Sequence, residues 1–135
     1  MTMNLASLPT ITGFYTALML LMLLSLAGNV VRWRLNAKVS LGDGGHRDLT
    51  AAIRAHGNAA EYVPMVLLAM ALLEMLGASA TVMHLYGATF FVARVLHPLG
   101  MTAPKKVNKS RQLGIALSWL VMIALAVHLL ARALF

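Results

Sequence analysis

Arg54, Asn58 and Glu61 stand at i, i+4 and i+7 inside a stretch that is otherwise apolar. At 3.6 residues per turn, that spacing puts all three on one stripe of a helix. Tyr86, Phe90, Arg94 and His97 recur at spacings of 4, 4 and 3 in a second apolar stretch, again on one face. If the two segments run antiparallel, Arg54 and Arg94 lie toward the same end. Lys109 and Arg111, which open the last apolar stretch, lie there too. The result is a cluster of cations around one carboxylate and one amide. Its complement is a small anionic or zwitterionic ligand bearing carboxylates, because guanidinium groups bind carboxylates through paired, charge-assisted hydrogen bonds. A structural alternative uses the same residues: Arg54 and Arg94 snorkel to lipid headgroups, and Asn58 with Glu61 joins helices by hydrogen bonds.

Other chemistries lack their residues. The chain has no cysteine, which excludes disulfides and a protein thiol as nucleophile. His46, His56, His84, His97 and His128 show no close metal-ligand spacing, so no metal is expected. Neither a Gly-rich phosphate loop nor a nucleophile elbow is present. Glu74 reads as a solvated helix terminus, His84 and His128 as interfacial or core residues, and Pro64 as a proline of the kind membrane helices tolerate.

The elements that position these residues follow from hydropathy. Apolar residues make up 60% of the 135 residues and charged ones 11%, against about 45–50% and about 25% in soluble domains. Mean hydropathy is +0.79. Apolar stretches run from about Ile11 to Val31, Ala51 to Leu76, Ala80 to Leu96 and Leu113 to Leu134. A bilayer core needs roughly 20 helical residues, and the third stretch is the shortest. Strand alternation is absent, and Leu, Ala and Met dominate, which favours helices. The expected fold class is an all-α membrane protein, a four-transmembrane-helix bundle. One domain over residues 1–135 is expected, with helices at about 11–34, 50–76, 80–97 and 111–134. The first is expected to stay as an anchor rather than act as a signal peptide, since Met1 to Thr10 has no Lys or Arg and the apolar run is long. Glu61 would lie roughly 15 Å along its helix. A charge there costs about 2.5–3.5 kcal/mol on insertion scales, so it must face protein or a watery cavity.

Charge placement sets the expected orientation. The net charge is +7 and the pI about 10.6. Arg32, Arg34, Lys38 and Arg47 lie between helices one and two. Lys105, Lys106, Lys109 and Arg111 lie between helices three and four. Both basic connections fall on one side, which the positive-inside rule makes cytoplasmic, with both termini opposite. Basic residues at that surface attract anionic lipid by about 1 kcal/mol each. Nucleic acid is not an expected partner, for want of aromatic-basic interleaving or a binding module. The segment from Asn36 to Asp48, with Gly42, Gly44 and Gly45, reads as an exposed, flexible connection.

The pattern Arg54-x-x-x-Asn58-x-x-Glu61-Tyr62-x-Pro64 resembles the signature of the MAPEG family, membrane-associated proteins of eicosanoid and glutathione metabolism. Ala93-Arg94-Val95-Leu96-His97-Pro98-Leu99-Gly100 resembles the end of that family's third helix. Arg111-Gln112-Leu113-Gly114, running on to Trp119, resembles the start of the fourth, especially in bacterial members. The resemblance covers nearly the whole chain. It implies a homotrimer with glutathione as cosubstrate, bound between subunits near the cytoplasmic side. Arg54, Asn58, Glu61 and Tyr62 would match second-helix positions lining that site. Arg94 and His97 would match third-helix positions, the latter often a tyrosine. Arg111 would match a catalytic arginine that stabilises the thiolate.

The implied activity is glutathione transferase or peroxidase chemistry on lipophilic electrophiles. With no protein cysteine, the nucleophilic sulfur has to come from the ligand. Glu61 would receive its amino group, while Arg54 and Arg94 take its carboxylates. Gly57 stands where some members carry a further arginine, and Met101 and Ile115 where eicosanoid-making members tend to have tyrosines. These departures keep open a non-catalytic lipid-binding or scaffolding protein of the same fold. A small proton-coupled exporter is the remaining alternative, but such proteins typically carry their acid in the first helix, which here has none.

Overall fold

The computed structural model describes residues 8–101 and 108–135. Lys105 and Lys106, two of the charges that set the expected orientation, lie outside the described residues, as does the stretch before Leu8. The described residues form four α-helices and no strand: α1 (Thr10–Ala37), α2 (Arg47–Met75), α3 (Ala80–Met101) and α4 (Lys109–Leu134). α2 starts at Arg47 rather than near 50, and Asp48 in its first turn complements the positive end of the helix dipole. α3 continues through Pro98 to Met101 rather than stopping near 97. Pro98 has no N–H for the carbonyl four residues back, a loss that membrane helices accommodate.

α1, α2 and α4 are long and apolar enough to cross a membrane. α3, at 22 residues, would extend about 33 Å, but His84, Tyr86, Arg94 and His97 interrupt its apolar run. Packing is most extensive between α3 and α4, then between α1 and α2. α2 buries Ala52, Ala55, Ala59, Val63, Val66, Met70 and Leu73. These recur at helical spacings of three and four, so one face meets the other three helices. α4 buries Gly114, Ser118, Val121 and Leu125 at the same kind of spacing, against α3 and α2. The small residues toward the Arg47 end of α2 and the Lys109 end of α4 let the backbones approach closely.

At the opposite end, Glu74 reaches across to α1. Its carboxylate accepts the backbone N–H groups of Ile11 and Thr12, both at 2.8 Å, and the Thr12 hydroxyl at 2.7 Å. Glu74 is therefore not a solvated terminus. It caps a helix whose own N-cap residue, Pro9, has no capping side chain. The first N–H groups of any helix lack intrahelical acceptors, and a carboxylate also suits the positive end of the dipole. The Tyr15 ring lies on the backbone of Gly87, where a Cβ would collide with it. Its hydroxyl donates to the His84 carbonyl at 3.2 Å and meets His84 Nδ1 at 3.1 Å.

The connection after α1 is exposed but internally bonded. Arg34 donates to the carbonyls of Ser40 and Gly42. The Asp43 carboxylate accepts the Gly45 N–H and the Thr50 hydroxyl. The Gly45 N–H, followed by that hydroxyl, holds the Asp43 carboxyl below its ordinary value.

Removing the cross-helix cap has a measurable cost. Glu74→Ala is expected to destabilise the protein by about 1–2 kcal/mol, the usual scale for losing a helix cap. Thermal unfolding in detergent micelles reads this as a lower midpoint, and an unchanged midpoint would contradict the capping role.

Candidate functional site

A guanidinium in the middle of a helix bundle needs acceptors from the protein around it. Arg94 is the largest fully buried side chain among the described residues, 1% exposed. α3 carries it on the face turned toward α2 and α4, among Phe90, Ala93 and His97. One terminal nitrogen donates to Asn58 Oδ1 at 3.0 Å, and the other to the Gly114 carbonyl at 3.5 Å. The guanidinium also lies over the rings of Tyr62 at 5.1 Å and Phe90 at 5.7 Å. Both rings offer their negative faces to a desolvated cation. Arg94 thus ties three helices together at one point.

Gly114 makes this possible. A Cβ there would stand 2.7 Å from the Ala93 carbonyl oxygen and 2.8 Å from the His97 nitrogen. Only glycine lets α4 approach α3 closely enough for its carbonyl to meet Arg94. The same carbonyl accepts the Ser118 hydroxyl at 2.7 Å. His97 is buried beside this contact, and its Nδ1 has no hydrogen-bond partner among the described residues.

Four of the expected site residues, Asn58, Tyr62, Arg94 and His97, therefore converge. Arg54, Glu61 and Arg111 do not join them: all three are exposed and make no hydrogen bond or ion pair among the described residues. Arg111 lies within electrostatic reach of His97, and its backbone packs against Gly100. The Arg54–Asn58–Glu61 stripe flanks the buried face of α2, with Asn58 half-buried at its inner edge. Tyr62 continues that edge and accepts the Trp119 indole N–H at 3.1 Å. Gly57 opens on free space, and a methyl group at that position would meet nothing within 4 Å.

Residue spacing gave no sign of the role of Gly114 or of the Trp119–Tyr62 bond. Gly114 and Ser118 are small residues four apart, a pattern that marks close helix approach in membranes. Nothing local to Trp119 indicates its partner.

The arrangement offers a ligand an exposed cation (Arg54), an exposed carboxylate (Glu61) and an amide (Asn58) held from behind by a buried cation. Groups of three or more His, Asp or Glu side chains able to hold a metal ion are absent among the described residues.

The sequence model of the MAPEG family matches residues 12–131. Two relatives, both named inner membrane protein YecN and drawn from Escherichia coli K12 and an O6:H1 strain, are each 33% identical over 113 residues. Those residues are 84% of this chain and 85% of each relative.

The Arg94–Asn58 contact is open to direct test. Asn58→Leu keeps the volume but leaves a buried guanidinium without its best acceptor, a loss on the order of 2–3 kcal/mol. The unfolding midpoint should fall well below that of Asn58→Asp, which retains an acceptor. Equal midpoints would contradict the assigned contact.

Proposed function

The chain belongs to the MAPEG family, and on that premise we propose that it is a membrane-bound glutathione-dependent transferase or peroxidase acting on lipophilic electrophiles. The observation that carries this reading is the Arg54–Asn58–Glu61 stripe, exposed at Arg54 and Glu61 and braced at half-buried Asn58 by the buried Arg94. A tripeptide thiol has one amino group and two carboxylates. Glu61 receives the amino group and Arg54 a carboxylate. Asn58 hydrogen-bonds the ligand backbone in an orientation set by Arg94, which contributes its positive charge from one layer deeper. Tyr62 and His97 complete the wall. An ordinary thiol has a pKa near 8.5 and is mostly protonated at neutral pH; a neighbouring cation lowers that value. Arg111 is the cation assigned to the sulfur.

We also place the protein in a bacterial inner membrane with four spanning helices and both termini on the non-cytoplasmic side. The basic connections support that orientation, and the name of its Escherichia coli relatives supports the membrane. The assembly is a homotrimer. Its support is a stripe along α2: beyond Glu61, the exposed residues continue as Met65, Leu68, Leu72 and Met75 at spacings of 4, 3, 4 and 3. This is the period of a helix-packing seam. Lipid can cover its apolar part but not Arg54 and Glu61, so a second copy covers the whole.

A non-catalytic lipid-binding role is the second reading. It is favoured by Met101 and Ile115, which place no hydroxyl where eicosanoid-making members tend to have tyrosines.

Purified protein in detergent should conjugate glutathione to a halonitrobenzene acceptor. Arg111→Ala should lower kcat about 100-fold, the scale for losing one electrostatic stabiliser of a developing anion. The rise of its pH–rate profile should also move to higher pH. Unchanged turnover would remove Arg111 from the mechanism. Absence of glutathione binding by calorimetry in the unaltered protein would overturn the reading itself.

A further inference from the structure

The Tyr62 hydroxyl has a hydrogen to give. Trp119 donates its indole N–H to the Tyr62 oxygen at 3.1 Å, at the exposed surface of the chain. An indole nitrogen donates and does not accept, whereas a phenol does both. The direction of this bond is therefore fixed, and the Tyr62 hydrogen is left over. It meets no acceptor among the described residues. The ring itself is held as well, with the Arg94 guanidinium 5.1 Å from its centroid. One contact grips the phenol by its face and the other by its oxygen, and neither takes its proton.

Depth makes the spare donor informative. Tyr62 lies roughly 22 Å from the start of α2 and roughly 20 Å from its end, near the middle of a 29-residue helix. Trp119 stands roughly 15 Å into α4 and is 55% exposed. Tryptophan in membrane proteins favours the headgroup level; here its N–H is satisfied far from it, by a tyrosine. The surface around the pair is apolar, with Met65 exposed on α2 and Ile115 half-buried on α4. Hydrocarbon offers an O–H group no acceptor, and an unmade hydrogen bond there is costly. Charge at that depth carries its own cost, so the complement is an uncharged oxygen on an apolar molecule. Arg111, Ile115 and Trp119 recur at spacings of 4 on one face of α4. Arg111 and Trp119 are roughly 12 Å apart along the axis, a distance that the arginine side chain and a small conjugated molecule span together.

We propose that the Tyr62 hydroxyl, held by Trp119, donates to the carbonyl oxygen of an α,β-unsaturated ketone or aldehyde, the acceptor class of this site. The attacking sulfur rests on the glutathione reading, whereas the hydrogen bond forms without thiol. Thiolate attack at the β-carbon forms the S–C bond and moves the C=C electron pair toward the carbonyl oxygen. Tyr62 passes its proton to that oxygen, and the proton released by the thiol restores the tyrosine. The resulting enol returns to the carbonyl form by tautomerisation. Tyr62 touches the substrate oxygen and is a catalytic residue; Trp119 is a positioning residue that keeps the phenol hydrogen free for it.

The probe is benzylideneacetone, with 1-phenyl-1-butene as the counterpart that has no oxygen, added without thiol to the unaltered protein in phosphatidylcholine nanodiscs. In infrared difference spectra the ¹³C-labelled carbonyl stretch should fall below its position in empty nanodiscs and saturate with added ketone. Corrected for partition into empty nanodiscs, binding should favour the ketone over the hydrocarbon about 10-fold, the scale of one hydrogen bond. Tyr62→Phe keeps a ring against Arg94 and should abolish both the shift and the preference. Trp119→Phe should shrink the shift of each bound ketone, a change that a merely structural role would not produce. A stretch unmoved in the unaltered protein would overturn the proposal, as would an equal shift in a folded Tyr62→Phe variant. Calorimetry with glutathione on the same nanodiscs decides the thiol reading separately. Ketone held through Tyr62 with no glutathione bound would uphold the hydroxyl as a carbonyl donor and overturn the addition step.

Discussion

A cation cannot sit in a lipid-embedded bundle unless protein replaces the water it has left, and Arg94 imposes that condition on every helix around it. α2 must turn Asn58 and Tyr62 toward it. α4 must bring a backbone carbonyl within reach, which only a glycine at position 114 permits. α3 must present Phe90 one turn earlier to cover the guanidinium. A helix that slid by one residue would lose these contacts together, so a single buried charge sets the register of three helices. Apolar packing alone is far more tolerant of sliding.

That brace is internal, while the charged side chains beside it are not. Arg54 and Glu61 stand on the outward flank of α2, and the rest of their stripe is apolar and exposed. A single chain thus combines a braced interior with a surface that neither lipid nor water fully suits. Two copies meeting along this stripe would enclose Arg54 and Glu61 in a low-dielectric space, where a zwitterionic ligand gains most from paired charges. The rigid side of such a site comes from Arg94 and Gly114; the recognising charges come from the flank.

The four helices were legible because lipid demands long apolar runs and leaves little room for other solutions. Their ends were less so: α2 begins earlier and α3 runs on through Pro98, since termini depend on capping and packing rather than hydropathy. The two polar stripes were legible from helical spacing. What spacing could not tell was depth. Arg94 and Arg54 look alike in sequence, yet one is buried and bonded to Asn58 while the other is exposed. Glu74 shows the same blind spot. Its place near the end of α2 implied solvent, but its partners lie more than sixty residues away on α1. Contacts that join distant segments leave no trace in local pattern.

The central claim is that the braced α2 stripe is one wall of a thiol-peptide site completed by a neighbouring copy. Electron cryomicroscopy of the protein in lipid nanodiscs with added glutathione tests it most directly. The expected map holds three copies, with ligand density between two of them along Arg54, Asn58 and Glu61 and the sulfur facing Arg111. A map at side-chain resolution with that stripe facing lipid, and no ligand against it, would contradict the claim.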